Sequence, residues 1–134
     1  MPEARVRGQA PWFVKRIINP LMLLTGGVPT LTVRGRRTGK QYRTPVNVVE
    51  LNGVRYLTSP RGETTWSSNL RVTGEAWLKI RGNEQHYRGV EVPPEARAPI
   101  IAAYLERWGN QTHGDFDRLP DPVDHPTFRL DPAD

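Results

Sequence analysis

The sequence predicts a mainly β (α+β) domain: a compact β-barrel of about six mostly antiparallel strands with about three helices. Two observations carry this prediction. Between residues 30 and 92, apolar and polar side chains alternate over short runs separated by turn sequences such as Asn52-Gly53 and Gly82-Asn83, which is typical of β-hairpins. A helical spacing of apolar side chains occurs in only three segments. A sheet this small must curl to bury one face, so we expect residues 1–134 to form a single domain.

The first predicted helix, at about residues 10–25, is amphipathic and contains the most hydrophobic stretch of the chain. Pro20 should kink or restart it. The run is too short and too interrupted to span a bilayer, and no small-residue cleavage site of a signal peptide follows it. Two interpretations stay open: a helix packed on the core, or an interfacial helix in which residues 11–25 lie on a membrane surface. Its apolar stripe comprises Trp12, Phe13, Ile17, Ile18, Leu21 and Leu24.

The strands are predicted from the alternation of side chains and from the turns between them. Pro45 falls inside the second predicted strand and marks an irregularity or an edge position, because proline has no N–H to donate to a neighbouring strand. The predicted strands are residues 30–36, Tyr42 to Leu51, Val54 to Ser59, residues 75–82, Gln85 to Val92 and a last short one from Thr127 to Leu130.

Two further helices are predicted after the third strand. The first is short and is followed by Gly74, a residue typical of helix C-termini. The second is opened by Pro93-Pro94 and covers about residues 94–108. Residues 109–126 contain Gly, Pro and acidic residues and are predicted to form a long surface loop, which begins an acidic loop and tail over about residues 109–134. The short helix runs from a cap at Thr64 or Thr65 to Thr73.

Composition and charge exclude several classes of chemistry. The chain has no cysteine, so it has no disulfide framework, thiolate metal site or dithiol redox centre, and electrons for redox work must come from an external cofactor. The three histidines lack metal-ligand spacing, and we expect no metal site. Residues 1–90 carry a net charge of +10 and residues 91–134 carry −5. A basic body favours an anionic partner: a phosphorylated cofactor, an acidic membrane surface or nucleic acid. A compositional bias towards arginine would give the same numbers.

The most distinctive motif is the basic turn at residues 34–43, with the sequence RGRRTGKQYR. It holds five basic residues and no acid, and its two glycines let backbone N–H groups approach an anion closely. The spacing and the absence of Ser or Thr after Lys40 exclude a P-loop. Both a phosphate cradle and a merely solvated hairpin tip remain open.

A second motif is Ser59-Pro60-Arg61-Gly62, a glycine loop that leads into the short helix. Such a loop offers free N–H groups and a favourable helix dipole to a phosphate, and Arg61 adds a positive charge. Trp66 and Asn69 share a face of the helix because they are three residues apart. They could contact a flat heterocycle, although Trp66 could equally be a core residue. The glycine loop and the basic turn could converge on one anion.

These motifs, in this order, resemble those of the flavin/deazaflavin oxidoreductases of the deazaflavin-dependent nitroreductase type, which use coenzyme F420. The similarity runs from about residue 10 to residue 108. It rests on a Gly-Arg-Arg/Lys-Ser/Thr-Gly turn, a following Thr-Pro strand, a Ser-x-Gly loop and a Trp-x-x-Asn-Leu helix. Here these are Gly35-Arg36-Arg37-Thr38-Gly39, Arg43-Thr44-Pro45-Val46, Ser59 with Gly62, and Trp66-Ser67-Ser68-Asn69-Leu70.

The resemblance implies a split β-barrel fold and F420 as cofactor, with FMN less expected. It implies that the coenzyme's phosphate and acidic tail lie on the basic turn and the glycine loop, and that its ring lies near Pro45, Trp66 and Asn69. The candidate cofactor-binding residues are Arg36, Arg37, Thr38, Lys40, Arg43, Thr44, Pro45, Ser59, Arg61, Gly62, Trp66 and Asn69.

The function that the resemblance implies is hydride transfer between reduced deazaflavin and an electron-poor acceptor such as a quinone, an enone or a nitro compound. We expect a small apolar substrate and a cytoplasmic protein with peripheral membrane contact through residues 11–25. No catalytic residue is assigned, and the proton donor could be Tyr42, Tyr104 or water. The alternatives are a non-catalytic lipid-, fatty-acid- or flavin-binding protein of the same fold and a nucleic-acid-binding module. No nucleic-acid partner is expected, because the basic residues concentrate at one tip.

Overall fold

Seven antiparallel strands form one curled sheet within residues 28–133, which are the residues that the computed structural model describes. The spatial order is β2-β1-β5-β6-β7-β4-β3. The strands are β1 Thr30–Arg34, β2 Gln41–Pro45, β3 Val49–Leu51, β4 Val54–Thr58, β5 Glu75–Ile80, β6 Asn83–Glu91 and β7 Thr127–Pro132. The helices are α1 Thr65–Thr73 and α2 Ala98–Arg118, with single 3₁₀ turns at Pro94–Ala96 and Pro122–Asp124.

The connection between β2 and β3 closes the sheet into a barrel. These strands are the two edges of the sheet, yet only residues 46–48 separate them along the chain. Four residue steps span at most about 14 Å, so the two edges must lie close together. The predicted split β-barrel, mainly β and antiparallel, is confirmed.

The second predicted strand, Tyr42 to Leu51, is wrong as a single element. The chain forms β2 up to Pro45, leaves the sheet, and forms β3 at the opposite edge. The pairing with β1 extends one residue past Pro45, since Val46 N donates to Pro29 O at 3.0 Å. Val46 and Val48 then pack against the barrel core. The irregularity expected at Pro45 is therefore the point at which the barrel closes, and the strands number seven within the described residues rather than about six.

The core lies inside the curled sheet, and α1 covers it by inserting Leu70. A Cβ atom on Gly89 of β6 would lie 2.7 Å from Leu70 Cδ1, so α1 approaches the sheet where a side chain is missing. The fully buried members of this cluster come from four strands and α1: Leu31, Val33, Leu57, Leu70, Ala76, Leu78 and Phe128.

The short helix α1 begins and ends where the sequence predicts. Thr64 Oγ1 accepts a hydrogen bond from Ser67 N at 3.4 Å, and Thr64 N donates to Ser67 Oγ at 2.9 Å, which together form a capping box. Gly74 follows with φ +74°, the left-handed conformation that glycine adopts without strain.

The third predicted helix is real, but it does not end at residue 108. It continues to Arg118, so the expectation of a surface loop from residue 109 is wrong for residues 109–118. Thr112 and Phe116 are buried and extend the apolar stripe from Tyr104 and Trp108 at intervals of four. Tertiary packing of this stripe overrides the helix penalty of about 1 kcal/mol for each of the two glycines in the segment.

Neither helix within residues 28–133 is long and apolar enough to cross a membrane. The helix expected at about residues 10–25, with its membrane contact, lies outside the described residues. About three helices are predicted, and two of them lie within residues 28–133 and are observed.

Candidate functional site

The basic turn and the glycine loop leave the sheet at the same end. The turn follows the C-terminal end of β1, and the loop follows the C-terminal end of β4. Between these strands lie β5, β6 and β7, and each neighbouring pair is antiparallel. Four antiparallel steps return the original strand direction, so both C-terminal ends face the same way. The helix α1 begins at this end, directly after the glycine loop.

The basic turn is held by its own backbone. Gly35 N donates to Lys40 O at 2.7 Å, and Gly39 N donates to Gly35 O at 3.0 Å. Thr38 Oγ1 accepts from Lys40 N at 3.2 Å, so this hydroxyl shapes the turn. The ring of Tyr42 lies over Gly35, where a Cβ atom would be only 2.7 Å from Tyr42 Cε2. These contacts define the local shape of the turn.

Three basic residues of the turn are exposed and make no ion pair in the described part of the chain. Arg36, Arg37 and Lys40 are exposed, and none of them has an ion-pair partner among residues 28–133. Arg34, by contrast, lies 3.7 Å from Glu75 and stacks over the ring of Trp77. Unpaired cations at a fixed backbone turn are well suited to an anionic ligand.

Arg36 connects the turn to α1 through Asn69. Asn69 Oδ1 accepts from Arg36 N at 3.0 Å and from Arg36 Nη1 at 2.8 Å. Because this atom accepts from two N–H groups, it is the oxygen of the amide and the other atom is the nitrogen. The other end, Asn69 Nδ2, is buried and has no hydrogen-bond partner within the described part of the chain. A buried donor without an acceptor is costly, so this amide is a candidate contact for a bound ligand.

The strand register places the candidate cofactor-binding residues of β2 on two different faces of the sheet. Tyr42 pairs with Val33 and Thr44 with Leu31, so both lie on the core face of the sheet. Arg43 pairs with Thr32, and it lies on the opposite face together with Pro45. Arg43 and Pro45 therefore do not share a face with α1, Trp66 or Asn69, and their role in cofactor binding stays a prediction.

Hydrogen bonds of the buried Ser59 hold the glycine loop against the interior of the protein. Ser59 is buried, its Oγ donates to Gly62 O at 2.5 Å, and its N donates to Pro126 O at 2.9 Å. The hydroxyl of Ser59 therefore holds the loop and does not face solvent. Gly62 has φ +92°, which favours glycine at this position.

Arg61 and Gly62 line a groove of about 310 Å³ together with residues of the C-terminal segment. Arg61 is exposed, but Glu63 and Asp124 also line the groove. Within residues 28–133, no hydrogen bond or ion pair runs directly from this loop to the basic turn, and α1 is the element that links them. The other lining residues are Leu119, Val123 and Pro126.

The N-terminus of α1 already has an acidic neighbour. Glu63 accepts hydrogen bonds from Ser67 Oγ, from Ser68 Oγ and from Arg71, whose Nη1 lies 2.9 Å away. The Arg71 guanidinium, opposed by partial burial and helped by the serines, lowers the pKa of Glu63 to about 2. A carboxylate that stays charged here disfavours an anion at the first turn of α1. Anion binding by the basic turn stays a prediction.

Trp66 is a partly buried core residue. Its ring lies 5.9 Å from that of Phe128, tilted by 57°, and it packs against the barrel core. Trp66 therefore packs against the core, and part of its side chain stays accessible. The contact of this accessible side with a flat ring stays a prediction.

The two tyrosines proposed as proton donors differ in solvent exposure. Tyr104 is 2% exposed, and burial raises its pKa further above the ordinary value. Its hydroxyl accepts from Asn47 Nδ2 at 3.2 Å inside the α2 packing. Tyr42 is 42% exposed beside the basic turn. Of the two, only Tyr42 can meet a substrate from solvent.

Two buried polar residues were missed by the sequence analysis. Arg97 is 4% exposed, donates to Val92 O at 2.8 Å and pairs with Glu91 at 3.2 Å. His125 is fully buried beside the glycine loop. No local pattern marks either of them, because each also has a partner distant in sequence: Arg97 donates to Pro122 O, and His125 Nδ1 lies beside Ser59 O. Among the described residues no group of acidic or histidine side chains is arranged to hold a metal ion.

A curled seven-stranded sheet with a fixed basic turn and a glycine loop at one end defines a split-barrel domain with a candidate anion-binding site. The F420H(2)-dependent quinone reductase family matches residues 14–118. The chain belongs to this family. A comparison with curated proteins found no match.

Solved structures share the fold at low sequence identity. An F420-H2-dependent reductase (FDR-A) superposes with a TM-score of 0.60 at 19% identity, over 78% of this chain and 93% of that chain. Atu2129 from Agrobacterium tumefaciens, a protein of unknown function, gives 0.64 at 17%, over 93% and 58%. The heme storage protein HutZ from Vibrio cholerae gives 0.60 at 11%, over 86% and 87%. At these identities the similarity shows the fold alone.

Proposed function

We propose that the protein is an F420-dependent oxidoreductase that transfers a hydride between reduced deazaflavin and an electron-poor acceptor such as a quinone, an enone or a nitro compound. Membership of the F420H(2)-dependent quinone reductase family supports this proposal. The single observation that carries it is the contact of Arg36 with Asn69, which places exposed cations next to a buried amide donor that has no partner among the described residues.

The residues present fit an anionic coenzyme with a flat ring. Arg37 and Lys40 supply positive charge without competing ion pairs in the described part of the chain. Asn69 Nδ2 is a buried donor that a ring carbonyl or a phosphate oxygen would satisfy. Charge-assisted hydrogen bonds from a preformed turn are the chemistry by which proteins bind phosphate.

Bound F420 would supply the hydride chemistry. The residues of the chain would bind the coenzyme and orient it. Lys40 and Arg37 would hold the anionic groups, and the hydrogen bonds of Arg36 to Asn69 keep the turn in place before binding, which limits the entropy lost on association. Trp66 would offer its accessible side to a flat ring. Tyr42 Oη, or water, would deliver the proton that accompanies hydride transfer.

The test is a fluorescence titration of the purified full chain with oxidised F420 at low and high salt. We expect saturable binding that weakens as salt increases, because the contact is between charges. FMN and a long-chain fatty acid are titrated in parallel. Binding of F420 with neither competitor bound supports the proposal, whereas a bound fatty acid without F420 binding would favour the lipid-binding alternative.

Two double variants locate the anion site. Arg37→Ala with Lys40→Ala removes two exposed cations from the basic turn, and we expect a loss of about 2 kcal/mol, or about thirtyfold in affinity. Lys79→Ala with Arg81→Ala removes the same charge from the β5–β6 hairpin. That hairpin is at the opposite end of the sheet, since Thr30 pairs with Lys79 and Val33 with Ala76. Equal effects of the two variants would show that only net charge matters.

A further inference from the structure

Three consecutive residues of α1 are held by different parts of the fold. Asn69 Oδ1 accepts hydrogen bonds from Arg36, in the basic turn. Leu70 inserts into the barrel core against Gly89 of β6. Arg71 lies on the exposed side of the helix and binds two carboxylates. Since successive helical residues are about 100° apart around the axis, these contacts together span about 200° of the circumference of α1.

The guanidinium of Arg71 makes two bidentate ion pairs. Its Nη1 and Nη2 donate to the carboxylate of Glu63 at 2.9 and 3.0 Å. Its Nε and Nη2 donate to the carboxylate of Glu91, at the end of β6, at 2.8 and 3.0 Å. A planar guanidinium can make two such pairs, whereas the ammonium group of lysine is a point charge and cannot. The direction of the Arg71 side chain is therefore fixed relative to β6.

Glu91 is a fixed anchor for this contact because a second, buried guanidinium holds it. Arg97 Nη2 donates to Glu91 Oε2 at 3.2 Å. Arg97 is in turn held by the backbone, since its Nη1 donates to Pro122 O at 3.1 Å and to His125 O at 3.2 Å. The network of ion pairs therefore joins α1 to the end of β6, the start of α2 and the C-terminal segment.

The rotation of α1 about its own axis decides where the Asn69 side chain points. An apolar contact such as that of Leu70 has no preferred direction, so it permits a small rotation of the helix. The hydrogen bonds from Arg36 hold only the Oδ1 end of the Asn69 amide, and Arg36 is itself exposed. The bidentate pairs of Arg71 are directional and hold the opposite side of the helix. Arg71 is therefore the contact that restricts this rotation.

We propose that Arg71 is a positioning residue for Asn69. It ties the outer side of α1 to Glu63 and Glu91. The helix in turn holds Asn69 Nδ2 in its buried position next to the basic turn. Half-exposed ion pairs contribute little to the free energy of unfolding, so the main effect of Arg71 is on orientation. A weaker affinity for F420 on loss of this contact rests on the function proposed above. The orientation of the Asn69 amide does not.

The first test is proton exchange of the Asn69 side-chain amide, measured by NMR on the full chain without coenzyme. Arg71→Lys keeps the charge but loses the bidentate pairs. Arg129→Lys is the matched control, because Arg129 makes a bidentate pair with Asp131 on β7, at 2.8 and 2.9 Å. We expect exchange of the Asn69 amide to become about tenfold faster in Arg71→Lys and to stay unchanged in Arg129→Lys. Equal rates in the two variants would overturn the proposal.

Backbone amide exchange in β4 and β7 separates orientation from stability. These strands contribute to the barrel core, so their amides report opening of the whole domain. We expect their protection to be the same in Arg71→Lys and Arg129→Lys. A loss of protection in these strands that equals the effect on the Asn69 amide would assign Arg71 a general stabilising role and contradict the proposal.

Should Arg71→Lys not fold, nitrogen-15 NMR of the arginine side chains in the unmodified chain decides. Bidentate pairs slow the rotation of a guanidinium group, so we expect separate Nη signals for Arg71. We expect a single averaged signal for Arg37, which is exposed and makes no ion pair in the described part of the chain. An averaged signal for Arg71 as well rules out the fixed network.

The last test connects α1 to the coenzyme. We expect Arg71→Lys to raise the dissociation constant for F420 about tenfold, and to have no further effect in an Asn69→Asp background, where the donor is already absent. An equal loss of affinity in both backgrounds would mean that Arg71 acts independently of Asn69, against the proposal. If the unmodified chain does not bind F420, the proposed function fails, and exchange of the Asn69 amide still decides the role of Arg71.

Discussion

Asn69 Oδ1 accepts two hydrogen bonds from Arg36, one from the backbone and one from the guanidinium. This single atom fixes the start of the basic turn to the middle of α1. It also turns Asn69 Nδ2 towards a position where no acceptor is present among residues 28–133. The contact therefore links the geometry of the turn to the state of a candidate ligand-binding donor.

Two substitutions of Asn69 separate these effects. Asn69→Ala removes the acceptor for Arg36, and we expect a loss of about 1–3 kcal/mol in the free energy of unfolding, together with weaker F420 binding. Asn69→Asp keeps an acceptor for Arg36 but replaces the free donor by an oxygen, so we expect most of the stability to remain while the affinity falls. Urea unfolding and coenzyme titration measure the two quantities.

Asn110→Ala is the matched control for these variants, because Asn110 is exposed on α2. It should change neither quantity. If Asn69→Ala is as stable as the control, Arg36 does not depend on Asn69 for its position.

Glu63 predicts a pH-dependent contribution to stability. Its pKa in the folded protein is lowered from 4.5 to about 2, chiefly by the hydrogen bonds from Arg71. A lowered pKa stabilises the fold above about pH 4.5, and this contribution is lost as the pH falls towards 2. Glu63→Gln should therefore be less stable than the unmodified chain at pH 7, by no more than about 1 kcal/mol because the pair is half-exposed.

The difference between Glu63→Gln and the unmodified chain should shrink as the pH falls from about 5 towards about 3, as measured by urea unfolding at each pH. Glu95→Gln is the control, since Glu95 is exposed and makes no ion pair in the described part of the chain. A difference that stays constant with pH would mean that the carboxylate is not held by Arg71.

Two glycines test the unexpected length of α2. Gly114 lies inside the helix, and Gly82 lies in the β5–β6 turn with φ +83°. A Cβ atom added at either position would meet nothing within 4 Å apart from the adjoining chain, so sterics do not distinguish them. Gly114→Ala should stabilise the protein by about 1 kcal/mol, because alanine favours a helix, whereas Gly82→Ala should destabilise it by a similar amount. Thermal unfolding measures both, and loss of stability in Gly114→Ala would argue against a helix there.

Gly35 tests the close approach of Tyr42 to the basic turn. A Cβ atom here would lie 2.7 Å from the Tyr42 ring and 3.3 Å from Lys40 O. Gly35→Ala should lower the free energy of unfolding by about 1–3 kcal/mol through steric overlap. The penalty should be smaller in a Tyr42→Ala background, where the ring is gone. Equal penalties in the two backgrounds, measured by urea unfolding, would assign the effect to the backbone contact with Lys40.

The sequence by itself determined those helices and turns whose capping or turn residues are close neighbours along the chain. Thr64, Ser67 and Gly74 define both ends of α1, because caps and a left-handed C-terminus depend on neighbours along the chain. The Asn52-Gly53 turn likewise joins β3 and β4, and Asn52 has φ +55° as such a turn requires. The basic turn and the glycine loop could be singled out for the same reason.

Only the tertiary structure decided where α2 ends, where the barrel closes and how the glycine loop is held. Phe116 extends α2 past two glycines because its ring packs against Tyr104 and His125. Residues 46–48 leave the sheet because the side chains of Val46 and Val48 fit the core and the opposite edge is within reach. His125 meets Ser59 across 66 residues of sequence. The free energy of each of these features comes from contacts between distant residues, and local sequence does not contain it.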